Sequence, residues 1–148
     1  MRVLCVCLGN ICRSPMAEGV LAARAREAGV ALEVDSAGTG SWHVGDAPDP
    51  RAIAAAAARG IDIAGQHARQ VSMVDFERFD LILAMDEGNL ASLERLRPVA
   101  ARAALRLAHP DGQPVPDPYY GGDGGFERVL DMLEAMAESV LREGTGRR

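Results

Sequence analysis

Two hydrophobic rhythms alternate along this chain. Arg2 to Cys7 form a short, nearly continuous apolar run of β-forming residues that stops at Gly9-Asn10, the pattern of a strand buried on both faces. Ser14-Pro15 predict a helix start, with Ser as N-cap and Pro at the first helical position. Met16, Val20 and Ala23 give that helix an apolar stripe and Gly29 ends it. A second strand is expected over Ala31–Asp35, then a long loop from Ser36 to Pro48 that holds Gly38, Gly40, Gly45 and Trp42. Asp49-Pro50-Arg51 reads as the cap of a helix through the Ala54–Ala58 run, closed by Gly60. Phe79–Ala84 is the clearest buried strand; a helix from Asp86 to about Arg97 follows, and Ala104–Leu107 is a weaker strand. Pro110 to Gly125 is a loop dense in Pro, Gly and Asp. A last helix is expected over Phe126–Leu141, with Val129, Leu130, Leu133, Met136, Ala137 and Val140 on its apolar side and residues 144–148 as a frayed tail.

Four strands alternating with helices imply an α/β fold: a single-domain, three-layer sandwich with a four-stranded parallel sheet and helices on both faces. The 148 residues are one domain's worth, so the whole chain, 1–148, is read as one unit. Ligands of such sheets bind outside the carboxyl ends of the strands, which is where Cys7 falls.

Composition narrows the function classes. Hydrophobic residues make up 48% and charged residues 25%, ordinary values for a globular protein. The net charge of −5 argues against a nucleic-acid partner, which would need a basic face. All 16 basic residues are Arg, so a bound anion must be held by Arg or by backbone amides. No apolar run approaches the ~20 residues of a membrane helix, so no membrane partner is expected. The first apolar run breaks at Gly9-Asn10, too early for a signal peptide, and a cytoplasmic location is expected.

The 3 cysteines, Cys5, Cys7 and Cys12, sit within the first dozen positions. That is not the spread of a disulfide scaffold, and His43, His67 and His109 show no spacing that would complete a zinc site. Thiol chemistry or plain burial remains, and Cys5 reads as packing.

The segment Cys7-Leu8-Gly9-Asn10-Ile11-Cys12-Arg13-Ser14 is a strand end, a loop and a helix start. Such a loop turns successive N–H groups inward and adds the positive end of a helix dipole, an oxyanion cradle. Gly9 and Asn10 are residue types that tolerate the left-handed φ that a sharp turn requires. A cysteine in that cradle is favoured as thiolate. Arg13 offers a planar fork for two oxygens of a phosphate, and Ser14 a hydroxyl for the sulfur. The segment therefore reads as a phosphate-binding loop with a nucleophile, an oxyanion binder and a thiolate tuner.

Val6 to Glu18, which contains this loop, closely resembles the signature of the low-molecular-weight protein tyrosine phosphatases. Asp35-Ser36-Ala37-Gly38-Thr39, Trp42-His43-Val44-Gly45, Pro48-Asp49-Pro50-Arg51-Ala52, His67-Ala68-Arg69-Gln70, Met85-Asp86 with Asn89, and Asp117-Pro118-Tyr119-Tyr120 follow in that family's order. His43 and Asp46 are mild departures. The resemblance implies hydrolysis of phosphotyrosine through a phosphocysteine, with Cys7, Arg13 and Asp117 catalytic and no cofactor or metal. Leu8, Gly9, Asn10, Ile11, Cys12 and Ser14 would form the substrate's cradle. The implied partner is a phosphotyrosine protein, a tyrosine kinase being one candidate, and the chain would be a monomer or weak homodimer.

Two Asp-Pro steps compete for the general acid that such chemistry needs. Asp49-Pro50 precedes an Ala-rich helix, so capping explains it. Asp117-Pro118 precedes Tyr-Tyr-Gly-Gly, where capping does not, and the resemblance also points to Asp117. Trp42, Tyr119 and Tyr120 lie in the two long loops flanking the site; each can pack its own loop, and together they suggest a slot for a phenyl ring with Leu8 as floor. Within the family Ile11 is typical of tyrosine phosphatases, whereas related protein arginine phosphatases carry Thr there. Cys12 has two readings, a small buried residue shaping the loop or the partner of Cys7 in a protective, reversible disulfide; the resemblance favours the second. Ser36 and His67 match family positions that brace the loop.

Three other classes fit less well. Thioredoxin-coupled arsenate reductases need two further cysteines in the second half of the chain, and none follows Cys12. Phosphocysteine carriers of sugar phosphotransferase systems lack the loop Arg and the Asp-Pro acid. A non-catalytic phosphotyrosine-binding module would have no need of Cys7 and Asp117.

Overall fold

The computed structural model describes residues 1–119, 121 and 124–144. Among them, four strands form one parallel sheet in the order β2-β1-β3-β4. The strands are β1 (Arg2–Cys7), β2 (Glu33–Gly38), β3 (Leu81–Ala84) and β4 (Ala104–Leu107). The helices are α1 (Arg13–Ala28), α2 (Pro50–Ala57), α3 (Asp75–Arg78), α4 (Glu87–Leu96) and α5 (Gly125–Gly144). None is long and apolar enough to cross a membrane.

The layers follow from the two-residue period of the strands. Val3, Cys5 and Cys7 of β1 join Leu81 and Leu83 of β3 in a core closed by α1, α2 and α5. Leu4, Val6, Ile82 and Ala84, on the opposite face, pack with Phe76 of α3 and Leu93 of α4. Three layers result, with β1 central and buried from Val3 to Cys7. Val129, Leu130, Leu133, Met136, Ala137 and Val140 of α5 are all buried, as their spacing predicts. Each large apolar side chain so covered is worth about 1.5–3 kcal/mol.

Four expectations shift. The second strand is Glu33–Gly38 rather than Ala31–Asp35, so Ser36–Gly38 belong to the sheet and not to the loop. Small residues suit this end because β2 there pairs with β1 on one side, Cys7 opposite Gly38, and through Gly38 with Gln70 on the other. Ser14 does not cap α1; that helix starts at Arg13 with Cys12 at its N-cap and no side-chain cap bond. Its other end is as expected, Gly29 turning left-handed at φ 68°. Phe79 and Asp80 lie outside β3, Phe79 being the residue that ends the one-turn helix α3, which no periodicity announces. Gly144, expected to open the tail, is the last residue of α5, and a Cβ there would sit 3.2 Å from Val30 and Leu32 side-chain carbons; the rest of the expected tail lies outside the described residues.

Candidate active site

The loop between β1 and α1 is curled around one sulfur. Asn10, at φ 58°, is the sole non-glycine among the described residues with a left-handed backbone. Gly9 does not share that conformation; its lack of a side chain admits His43, whose Cδ2 would stand 3.2 Å from a Cβ. The turn brings the Asn10 N–H to 3.3 Å from Cys7 Sγ.

Asn10 is held at three points. Its Nδ2 donates to Ser14 Oγ at 2.7 Å and to Ser36 Oγ at 3.0 Å, and its Oδ1 accepts the Arg69 N–H at 3.0 Å. Ser14 Oγ lies 3.0 Å from Cys7 Sγ. Because it accepts from Asn10, its own proton is available to the sulfur, the nearer of two acceptors; the Ala37 carbonyl is 3.4 Å away. The hydroxyl expected to cap α1 is spent on the thiol instead.

Arg13 opens α1 and is buried at 2% exposure. Its Nη1 donates to Asp86 Oδ2 at 2.6 Å and to the Val115 carbonyl at 3.0 Å. Nη2 is 3.6 Å from Asp117 Oδ2. Asp86 has two tasks, since its Oδ1 also caps α4 by accepting the Asn89 N–H at 2.8 Å. One edge of the guanidinium is thus anchored in protein while the residue still lines a cavity of about 290 Å³.

Cys7, Arg13 and Asp117 all face that cavity, with Leu8, Gly9, Ile11, Cys12, Trp42 and Tyr119 in its walls. Asn10 and Ser14 lie behind it and hold its shape. Leu8 is 45% exposed, a wall at the open side rather than the floor. Trp42 is 72% exposed, its ring lying over Gly40, where a Cβ would come within 1.8 Å. Tyr120 lies outside the described residues. His43, noted from sequence only as a departure, is a further wall residue, its Nδ1 3.2 Å from Asp46 Oδ2.

The two Asp-Pro steps separate as capping logic predicts. Asp49 caps α2, accepting the Arg51 N–H at 2.8 Å, and the Arg51 guanidinium beside it holds its carboxyl below the usual range. Its own N–H donates to the Ile11 carbonyl at 2.8 Å, tying α2 to the loop. Asp117 instead faces the cavity, its Oδ1 accepting the Tyr119 N–H at 3.0 Å. Arg51 joins the two regions: its guanidinium lies 5.3 Å from the Tyr119 ring centre and 5.0 Å from that of Phe126.

Cys12 is buried, and burial, with Asp49, Cys7 and Asp117 nearby, pushes its thiol up to about 12. Burial also pushes the Cys5 thiol up, in keeping with a packing role. Of the two expected braces, Ser36 reaches the loop and His67 does not; His67 is exposed, and the 67–70 segment acts through Arg69. Arg69 is itself clamped between Asp35 and Asp75, at 3.1 and 3.0 Å. Sequence reasoning missed Asp86 as the anchor of Arg13, Arg69 as a brace, and Glu18, whose Oε1 accepts from Ser36 Oγ at 2.8 Å.

A parallel sheet that presents a cysteine and an arginine in one curled loop at the end of an inner strand has the parts of a cysteine-dependent phosphatase. Residues 2–145 match the family profile described as low molecular weight phosphotyrosine protein phosphatase, and the chain belongs to that family, whose substrates are phosphoproteins. It is 47% identical to a low molecular weight protein-tyrosine-phosphatase of Streptomyces coelicolor, over 95% of this chain and 91% of that one. Among solved structures it is similar to a protein tyrosine phosphatase from Entamoeba histolytica with Hepes in the active site, at TM-score 0.92 and 37% identity, covering 99% and 98% of the two chains. A Drosophila arginine phosphatase is also similar, at TM-score 0.90 and 33% identity, covering 97% of each chain.

Proposed function

We propose that this phosphatase hydrolyses phosphotyrosine on proteins, and small aryl phosphates, through a phosphocysteine on Cys7. The observation that carries this reading is the convergence of Cys7, Arg13 and Asp117 on one cavity, with the Asn10 N–H and the Ser14 hydroxyl on the sulfur. The Cys7 thiolate attacks phosphorus in line with the leaving oxygen, while Arg13 and the loop N–H groups hold the equatorial oxygens. As the S–P bond forms and the P–O bond breaks, Asp117 gives its proton to the departing phenol oxygen. The resulting Asp117 carboxylate takes a proton from water, which attacks the phosphocysteine and releases phosphate and the thiolate. Arg13 and the amides supply the electrophilic stabilisation, so no step calls for a metal.

The substrate reading rests on shape. At about 290 Å³ the cavity is near the lower end of ligand pockets, enough for one aryl phosphate. Ile11, Leu8, Trp42 and Tyr119 give it apolar walls suited to a phenyl ring. The similarity to an arginine phosphatase favours a second reading, phosphoarginine, against which stands the apolar bulk of Ile11 where a guanidinium would need a polar partner. A tyrosine kinase bearing phosphotyrosine is one candidate substrate.

Phosphate release from matched phosphotyrosine, phosphoserine and phosphoarginine peptides without added metal tests this. Turnover of phosphotyrosine, abolished in Cys7→Ser and slowed in Asp117→Ala, is the expected result. Preference for phosphoarginine would overturn the substrate class and keep the loop chemistry. Accumulation of stable phosphocysteine without turnover would make the protein a phosphoryl carrier.

A further inference from the structure

We propose that Glu18 is a positioning residue for this reaction, its ionised carboxylate being the acceptor that anchors the far end of a hydrogen-bond chain running through Ser36, Asn10 and Ser14 to the Cys7 sulfur. The inference rests on the reading of Cys7 as nucleophile and goes beyond it by assigning control of the thiol to a group outside the cavity.

Glu18 stands one helical turn after Ser14 on α1, so the two share a face. The space between them is bridged from the sheet side. Glu18 Oε1 is 2.8 Å from Ser36 Oγ, Ser36 Oγ is 3.0 Å from Asn10 Nδ2, Asn10 Nδ2 is 2.7 Å from Ser14 Oγ, and Ser14 Oγ is 3.0 Å from Cys7 Sγ. Every direction in this chain follows from counting protons. The Asn10 amide has two and gives one to each serine. Each hydroxyl, having accepted, has one proton left to give outward: Ser36 to Glu18, Ser14 to Cys7. The chain therefore ends on an acceptor at both ends, and two anions fit it, a carboxylate and a thiolate. Charge-assisted ends are the stronger form of such bonds, and linked bonds polarise one another.

Protonating Glu18 spoils one end. A proton on Oε1 would meet the Ser36 proton across 2.8 Å, so one of them must turn. If Ser36 turns, its hydroxyl opposes the Asn10 amide; if Glu18 turns, a neutral acceptor replaces a charged one. Either way the Asn10–Ser36 bond weakens. Asn10 is the residue least able to lose an anchor, because it holds a left-handed backbone at φ 58° and its own N–H contacts the sulfur.

The surroundings of Glu18 favour a change of charge near neutrality. Burial pushes its carboxyl up to about 7; Asp35 on β2 adds to this, while the Ser36 hydrogen bond and the Arg69 guanidinium oppose it. Cys5 faces it from β1. Toward solvent, Glu18 lines a hollow of about 400 Å³ together with Arg26, Asp62 and Gln66, which gives protons a route that avoids the substrate cavity.

The test reads the thiol directly. Alkylation of Cys7 by iodoacetamide, a neutral reagent, is followed by mass spectrometry from pH 5.5 to 9 in the full chain, for wild type, Glu18→Gln and Glu18→Met, with and without inorganic phosphate. Wild type is expected to react roughly three- to tenfold faster above pH 7 than its thiol ionisation alone accounts for, the worth of about one hydrogen bond. In Glu18→Gln, which cannot titrate but keeps the shape of the side chain, that step disappears. In Glu18→Met, which offers no acceptor to Ser36, the rate stays at the low level throughout. Superimposable profiles for wild type and both variants, with phosphate still protecting Cys7, would overturn the positioning role and leave the nucleophile standing. A Cys7 that reacts no faster than Cys12 and is not protected by phosphate would overturn both.

Discussion

Replacing Asp86 by Asn isolates the support of Arg13 from the support of a helix. The carboxylate uses one oxygen for each: Oδ2 for Arg13 Nη1 at 2.6 Å and Oδ1 for the Asn89 N–H at 2.8 Å. An amide has a single oxygen. If Asn keeps the cap, its NH2 group faces the Arg13 donor, and a buried guanidinium loses the nearer of its two carboxylates, Asp117 remaining at 3.6 Å. Breaking a fully buried pair costs about 3–5 kcal/mol and an exposed pair about 0–1 kcal/mol. Here the Arg13 side chain is 3% exposed and that of Asp86 32%, so a value between these limits, about 2–3 kcal/mol, is expected. Asp86→Ala also loses the cap, which adds about 1 kcal/mol. At about 2–4 °C per kcal/mol for a chain of this size, Asp86→Asn should unfold about 4–12 °C below wild type, and Asp86→Ala lower still. Thermal unfolding followed by circular dichroism in phosphate-free buffer measures both. An Asn variant melting within 1 °C of wild type would refute the argument that Arg13 relies on this carboxylate. An Ala variant no lower than the Asn variant would show that the cap contributes nothing.

Three further outcomes follow from the same geometry. Gly38→Ala would put a Cβ 2.8 Å from the Leu8 carbonyl oxygen and 3.2 Å from Asn10; because a backbone atom must yield, a loss of about 1–3 kcal/mol in urea unfolding is expected, with reduced turnover. Burial raises the Glu18 carboxyl to about 7, against about 4.3 unfolded, so the neutral form stabilises the fold fully below the unfolded value and that contribution is lost as pH rises through 7. Relative to wild type, Glu18→Gln should therefore gain on the order of 1–2 kcal/mol between pH 4.5 and pH 8, partial exposure being allowed for; a relative loss in urea midpoints would reverse the sign. Arg51→Ala takes the guanidinium away from the Tyr119 and Phe126 rings that flank the Asp117 loop, and with Asp117 as the proposed acid it should slow phenyl phosphate more than 4-nitrophenyl phosphate, whose better leaving group needs a proton less. Equal slowing of both would mean that Arg51 does not hold that loop.

What could be read from the residues alone was local. β1 and β4 have the bounds their apolar runs predict, the apolar side of α5 is the buried one, and Asp49 caps where a Pro follows it. Asn10 is left-handed because the turn between strand and helix demands it and Asn tolerates it. What could not be read was decided by partners far away in sequence. Ser36-Ala37-Gly38 carry no strand signal of their own and become strand because β1 and Gln70 flank them. Ser14 offered two readings, an N-cap and a hydroxyl for the sulfur, and only the fold decides for the second. Helix α3 is a single turn, too short for a period to show. Asp86, Arg69 and Glu18 look like solvated charges until the fold supplies the groups they touch. The site therefore divides the same way: Cys7, Arg13 and Asp117 were legible as types suited to a chemistry, whereas of the residues around them Ser14 and Ser36 were expected and Asp86, Arg69 and Glu18 were not.

The long reach of those supports bears on how the molecule acquires its activity. Asn10 takes its anchors from residues 26 and 59 positions further on, and Arg13 from residues 73 and 102 positions further on. Contacts between segments so distant form late, because their loop closures must be complete before they are rewarded. If Cys7 is the nucleophile proposed above, a refolding chain will gain that sulfur's setting only once these distant segments have docked. Recovery of its reactivity would then time the docking of distant segments rather than the formation of β1 and α1, although both groups that hydrogen-bond the sulfur, the Asn10 N–H and the Ser14 hydroxyl, lie within the first fourteen residues.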